Sequence, residues 1–168
     1  MLESLITSKT RLRLLIKFFV NIANQGYLNS LANEFGESTN SVRKELNNLS
    51  SAGYLEKRNV NNKVIYKANS SHPLFKVIQK IVHKHIGIEE IVENVCNRIG
   101  DVKKIMVLGD YSMGIDSGII EVLIVGENIN KQYLDDIAPK IEKKINRKVN
   151  FFVSNKSLKQ STLTIFEA

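Results

Sequence analysis

The 168-residue sequence holds one cysteine, Cys96. That excludes an internal disulfide, a cysteine-rich zinc site and a CxxC redox pair. No apolar run approaches the roughly 20 residues that a bilayer-spanning helix needs, so an integral helical membrane protein is excluded. With 9 glycines and 2 prolines, and with 43% of residues hydrophobic, the chain is neither collagen-like, low-complexity nor disordered. The opening stretch MLESLITSKTRLRLLIKFFV sets its charges inside the apolar pattern. It lacks the order of basic, apolar and small-residue segments, so no signal peptide is expected. A cytoplasmic protein of one full domain or two small ones fits these exclusions.

Acidic residues are scarce in one half only. Residues 1–87 hold 13 Lys and Arg against 5 Asp and Glu, a balance of +8, whereas residues 88–168 hold 11 against 12. The whole positive excess therefore lies in the first half. Such asymmetry is the electrostatic footprint of a surface for an anionic polymer, or else an ordinary solvated basic face.

The hydrophobic period changes along the chain. Leu12, Leu15, Phe19 and Ile22 mark one face of a helix over about 8–24, closed by Gly26. A short helix over about 30–35 places Leu31, Ala32 and Phe35 inward and stops at Gly36. Ser38 or Thr39 caps a third helix over about 39–52, which Gly53 ends. The period then falls to two: residues 54–58 and 63–67 read as strands around an Asn61-Asn62 turn. After the break at Ser70-Ser71-His72-Pro73, a helix over about 74–85 carries Val77, Ile78, Ile81 and Val82 on one side. Its apolar surface is enough to pack against a second copy or another module. A further amphipathic helix covers about 88–99. Residues 104–108, 121–125 and 149–153 read as strands, with a Gly-rich turn over 109–118. A helix over 130–145 contains Pro139, which should bend or shorten it. In the tail, residues 158–166 can pack as a helix or an extended segment.

On the third helix Val42, Leu46 and Leu49 fall within about 60° of one another and face inward. The opposite side carries Asn40, Lys44 and Asn47, flanked by Arg43. Arginine suits guanine, asparagine suits adenine, and lysine suits phosphate. Thr39 and Ser41 lie in the first turn, whose amides can meet a phosphate. Lys57, Arg58 and Lys63 flank the polar tip of the hairpin, which suits a wing lying along a nucleic-acid backbone or in the minor groove. The stretch L-A-x-x-F … S-V-R-x-E-L-x-x-L-x-x-A-G-Y-L, within residues 28–69, resembles the winged-helix bacterial regulators, ArsR-type ones in particular. That resemblance implies a homodimer whose third helix enters the major groove of double-stranded DNA. It assigns Ser38, Thr39, Asn40, Ser41, Arg43, Lys44 and Asn47 to groove and phosphate contacts, and Lys57, Arg58 and Lys63 to the wing. The Cys or His clusters of ArsR-type metal sensors are missing. His83 and His85 stand about 200° apart on one helix, and His72 precedes Pro73 in a loop, so no metal site is expected. Cys96 reads as a small buried side chain.

Residues 107–127, VLGDYSMGIDSGIIEVLIVGE, resemble the nucleotidyltransferase fold of small antitoxin-like and kanamycin-type transferases. Those enzymes use a Gly-Ser turn for phosphates and an Asp-x-Asp for two metals. Aligned on Val125-Gly126, Gly109 keeps the turn, Asp110 replaces the serine, Ile119 replaces the first metal Asp and Glu121 the second. One carboxylate cannot replace a pair bridging two metals, so the fold is expected without the chemistry, and without a cofactor. Gly109, Asp110, Tyr111, Ser112, Gly114 and Glu121 remain candidates for binding a nucleotide or other small effector. The whole chain resembles bacterial transcriptional regulators that append such a domain to a winged helix.

The sequence is thus read as α+β, a winged helix-turn-helix (1–72), a linking or dimerisation helix (73–87) and a small mixed-sheet nucleotidyltransferase-like domain (88–168). The expected function is a homodimeric, sequence-specific DNA-binding transcriptional regulator. One alternative is a metal-dependent nucleotidyltransferase using Glu121 with Asp110 or Asp116. Another is a protein-interaction module.

Overall fold

The computed structural model describes residues 2–96, 98–156 and 162–168, and it is mixed α and β. The chain divides into two compact units, Met1–Val82 and His83–Ala168.

The first unit follows the order α1 (Lys9–Phe19), β1 (Gln25–Tyr27), α2 (Leu28–Phe35), α3 (Thr39–Ser51), β2 (Leu55–Val60) and β3 (Lys63–Ala68). Ser8 caps α1 by accepting from the Arg11 amide, and Ser38 caps α3 by accepting from the Ser41 amide, both at 3.2 Å. The first helix is shorter than its periodicity predicts. It ends at Phe19, and Ile22 lies beyond it, 49% exposed. It is also buried on more than one face, since Leu12, Leu14, Ile16, Phe18 and Phe19 are all in the core. Arg11 and Arg13 keep one side of the helix open to solvent, 44% and 48% exposed. Leu31, Ala32, Val42, Leu46 and Leu49 complete that core.

Strands β1, β3 and β2 form an antiparallel sheet in that order. The hairpin turns through Asn61 (φ 48°) and Asn62 (φ 60°), two consecutive left-handed residues of the kind that match strand twist. Strand β1 is too short to show alternation. Its Gly26 lies against Leu31, 3.0 Å from where a Cβ would stand.

Helix α4 (Phe75–Ile86) runs through the division between the units. Phe75 stacks on Phe19 with ring centroids 5.5 Å apart, and Val82 is buried. Val77 and Ile81, expected on the packed side, are 54% and 43% exposed.

The second unit holds α5 (Ile88–Cys96), β4 (Asp101–Leu108), the one-turn α6 (Gly109–Ser112), β5 (Ile119–Glu127), α7 (Lys131–Ile145), β6 (Lys148–Ser154) and β7 (Leu163–Glu167). Its sheet has the order β6-β5-β4-β7, with β5 and β6 parallel and the other pairs antiparallel. Ile120, Val122 and Ile124 alternate along β5 on one face, paired with Val107 and Ile105 of β4, and all are fully buried. Helix α5 packs against α7 and β7, and α7 against β6. The other face carries a small apolar cluster of Met106, Leu123 and Val125, with Leu108 against it.

Pro139 does not shorten α7, which runs through it to Ile145. Gly87 stands between α4 and α5 at φ 92°, where a Cβ would come within 2.5 Å of Ile145. Part of the tail segment expected over 158–166 lies outside the described residues, and 163–167 is strand β7. Cys96 is half-buried, and burial pushes its thiol pKa up.

Candidate nucleic-acid interface

The amphipathic division of α3 decides what its outer side presents. Val42 and Leu46 are completely buried and Leu49 nearly so, which anchors the helix by one stripe. Ser38, Thr39, Asn40, Ser41, Arg43, Lys44 and Asn47 are all exposed. The Ser38 and Ser41 hydroxyls share a 3.0 Å hydrogen bond at the start of the helix. Arg43 Nη1 donates to Asn40 Oδ1 at 3.1 Å.

The hairpin adds a second group. Lys57, Arg58 and Lys63 are exposed on β2 and β3. The Lys63 ammonium sits 5.3 Å from the centre of the Tyr27 ring, a cation–π contact that reaches from the hairpin to the N-cap of α2.

The acids of this unit are used elsewhere. Arg11 pairs with Glu45 at 2.8 Å, Arg13 with Glu37 at 2.5 Å, Lys17 with Glu34 at 2.8 Å and Lys67 with Glu56 at 3.2 Å. Four of the five acids of residues 1–87 are thus spent on cations of α1 and β3. Among the described residues, Arg43, Lys44, Lys57, Arg58 and Lys63 have no acidic partner. The local field at the outer side of α3 and at the hairpin is therefore positive.

Glu45 is the residue whose role the sequence reading missed. Its side chain accepts from Ser8 Oγ and Arg11 Nε, both at 2.8 Å, and it is buried. Burial alone would push its carboxyl up, but the bonds from Arg11 and Ser8 outweigh that and hold it below the usual glutamate value. The signal was present: at 100° per residue Glu45 lies about 40° from Leu49, on the inner half of the helix.

The candidate ligand turn of the second unit is organised differently. Gly109 (φ 56°) opens α6, and a Cβ there would collide with the Glu121 carboxylate. Asp110 is exposed, whereas Tyr111, Ser112 and Gly114 are buried. Ser112 Oγ turns inward to the Gly109 carbonyl at 2.7 Å. Asp116 is held by Arg147 through two bonds, Nε to Oδ1 at 2.9 Å and Nη2 to Oδ2 at 2.5 Å, and it also accepts from the Tyr111 hydroxyl. Arg147 further donates to the His85 and Ile145 carbonyls. Burial would raise the Asp116 carboxyl, but the Arg147 and Tyr111 bonds and the guanidinium charge hold it low. Burial first, then the neighbouring carboxylate, pushes the Tyr111 hydroxyl well above its ordinary value.

Asp116 is therefore committed to a guanidinium, and Glu121 lies against the turn. Among the described residues no group of three or more His, Cys, Asp or Glu is placed to hold a metal ion, and no helix is long and apolar enough to cross a membrane.

No family model matches the chain, and no curated protein matches it. Among solved structures it is similar to the crystal structure of the AntR antimony-specific transcriptional repressor, at 15% identity and a TM-score of 0.38, over 52% of this chain and 71% of that one.

Proposed function

We propose that the chain is a sequence-specific, DNA-binding transcriptional regulator. In this reading the first unit is a winged helix-turn-helix: α2 and α3 form the helix-turn-helix, and the β2–β3 hairpin is the wing. The observation that carries it is the separation of charge. The acids are spent on internal pairs, while the outward cations of α3 and the hairpin stay uncompensated. Arg43, Lys44, Asn40 and Asn47 read the major groove. Ser38, Thr39 and Ser41 contact phosphate at the helix start. Lys57, Arg58 and Lys63 neutralise the flanking backbone.

The protein acts as a homodimer, so that two copies meet two half-sites. One reading helix of 13 residues spans about 20 Å, less than one turn of B-DNA. In this reading the second unit is a nucleotidyltransferase-like domain that serves without catalysis. Its Gly109–Gly114 turn takes a small effector, with Asp110 at the rim.

Duplex binding by the full chain tests the proposal. Arg43→Ala with Lys44→Ala removes specific binding at physiological salt while the melting temperature stays within a few degrees. Undiminished binding by this doubly substituted protein would show that α3 is not the reader.

A further inference from the structure

We infer that Asn40 and Arg43 act as one base-reading unit, and that this unit selects guanine. The inference rests on the DNA-binding reading above and names the base chemistry of that surface.

The two residues stand three apart on α3, so one helical turn stacks them. Arg43 Nη1 lies 3.1 Å from Asn40 Oδ1. A guanidinium carries donors alone, so the amide atom that meets it is the oxygen. This fixes which way the Asn40 amide is turned.

That orientation changes what Asn40 can read. An asparagine recognises adenine by accepting from the N6 amino group with its oxygen while donating to N7 with its nitrogen. In Asn40 the oxygen is engaged by a cation. An adenine amino group, itself a donor, would have to compete with that cation for the same atom. The Nδ2 donors of Asn40 stay available, and so does the Nε–Nη2 fork of Arg43. The outward edge of the pair is therefore made of donors.

Base edges in the major groove divide cleanly on this point. Guanine shows two acceptors, O6 and N7. Adenine sets an acceptor beside a donor, cytosine shows a donor, and thymine one acceptor beside a methyl group. An edge of donors is complementary to guanine. Asn40 also restricts the Arg43 side chain before any duplex arrives, which lowers the entropy cost of placing the fork. Both residues are exposed, and among the described residues no acid competes for the guanidinium.

Asn47 provides the contrast. It lies one turn beyond Arg43, it is exposed, and its amide has no partner among the described residues. It keeps both donor and acceptor and stays able to read adenine. At a rise of 1.5 Å per residue it stands about 6 Å along α3 from Arg43, or about two base pairs.

Selection of bound duplexes from a random pool, with the full-length chain and with Asn40→Ala, Arg43→Ala and Asn47→Ala, tests this directly. Circular dichroism melts confirm that each variant is folded. The native chain is expected to require guanine at one position of its site, with replacement by adenine weakening binding about ten- to a hundredfold. Asn40→Ala and Arg43→Ala both relax that same position, whereas Asn47→Ala relaxes a different one. The inference is overturned if Asn40→Ala relaxes an adenine position of its own and leaves the Arg43 position intact. A pool from which the native chain enriches no duplex overturns the DNA-binding reading, and this inference with it.

Discussion

Glu45 Oε2 accepts from Arg11 Nε at 2.8 Å, and this bond ties the inner side of α3 to the first turn of α1. The carboxylate is buried while the guanidinium stem is 44% exposed, so the pair sits at the edge of the core. Ser8 closes it from the other oxygen while capping α1. One side chain thus fixes the orientation of the helix that carries Asn40, Arg43 and Lys44.

Replacing Glu45 by Gln should cost about 1–2 kcal/mol at neutral pH, because charge-assisted bonds to a buried group are weakened. Urea unfolding measures this. The folded-state pKa lies below the ordinary value of 4.5, so the contribution is complete above that value and is lost as the pH falls through the folded pKa. The gap between native and variant proteins therefore closes in acid; a gap that persists at low pH contradicts the assignment.

Arg147 binds Asp116 through two nitrogens and reaches Tyr111 and two carbonyls. Arg147→Lys should destabilise by about 2–3 kcal/mol, since an ammonium cannot cover these acceptors and leaves a half-buried carboxylate short of partners. Tyr111→Phe tests the alkaline side. The raised Tyr111 pKa means its contribution is full below pH 10 and is lost as the pH rises through the folded value. In the phenolate absorbance titration the last ionisation step of the folded protein should vanish in Tyr111→Phe; a retained late step assigns it to another of the five tyrosines.

Gly109→Ala combines a left-handed backbone with a collision against the Glu121 carboxylate. The expected loss is about 2 kcal/mol, of which roughly 1 kcal/mol is backbone strain. Adding Glu121→Ala should recover the remainder, so the double variant is more stable than the sum of the two single changes implies. Strict additivity in thermal unfolding would place Glu121 away from the turn.

Duplex affinity should fall steeply with salt. Lys57→Ala with Lys63→Ala lowers the slope of log affinity against log salt by roughly 2, about 0.9 for each phosphate released. An unchanged slope would remove the hairpin from the contact surface.

The hairpin was readable because Asn61 and Asn62 supply the two left-handed positions themselves. The packed stripe of α3 was readable because Val42, Leu46 and Leu49 keep the helical period. Local patterns carry such information. The burial of α1 on more than one face was not legible in its period: Lys17 lies off the predicted stripe yet is only 8% exposed, because Glu34 neutralises it, and that partner comes from another helix. Strand β1 was invisible because three residues cannot display an alternation, and its pairing with β3 is long-range. The role of Arg147 was hidden for the same reason. Asp116 and Tyr111 stand 31 and 36 residues before it, and only the β5–β6 pairing brings them together.

Helix α4 carries Phe75 in the first core at one end and the His85 carbonyl, bound by Arg147, at the other. The division between the units falls inside it, after Val82. Severing the chain there leaves about two turns on one piece and one on the other, too little for a helix to persist alone in water. A cut at this point frays the helix from both new ends, while the Phe19–Phe75 contact stays within the first unit and the Arg147–His85 bond within the second.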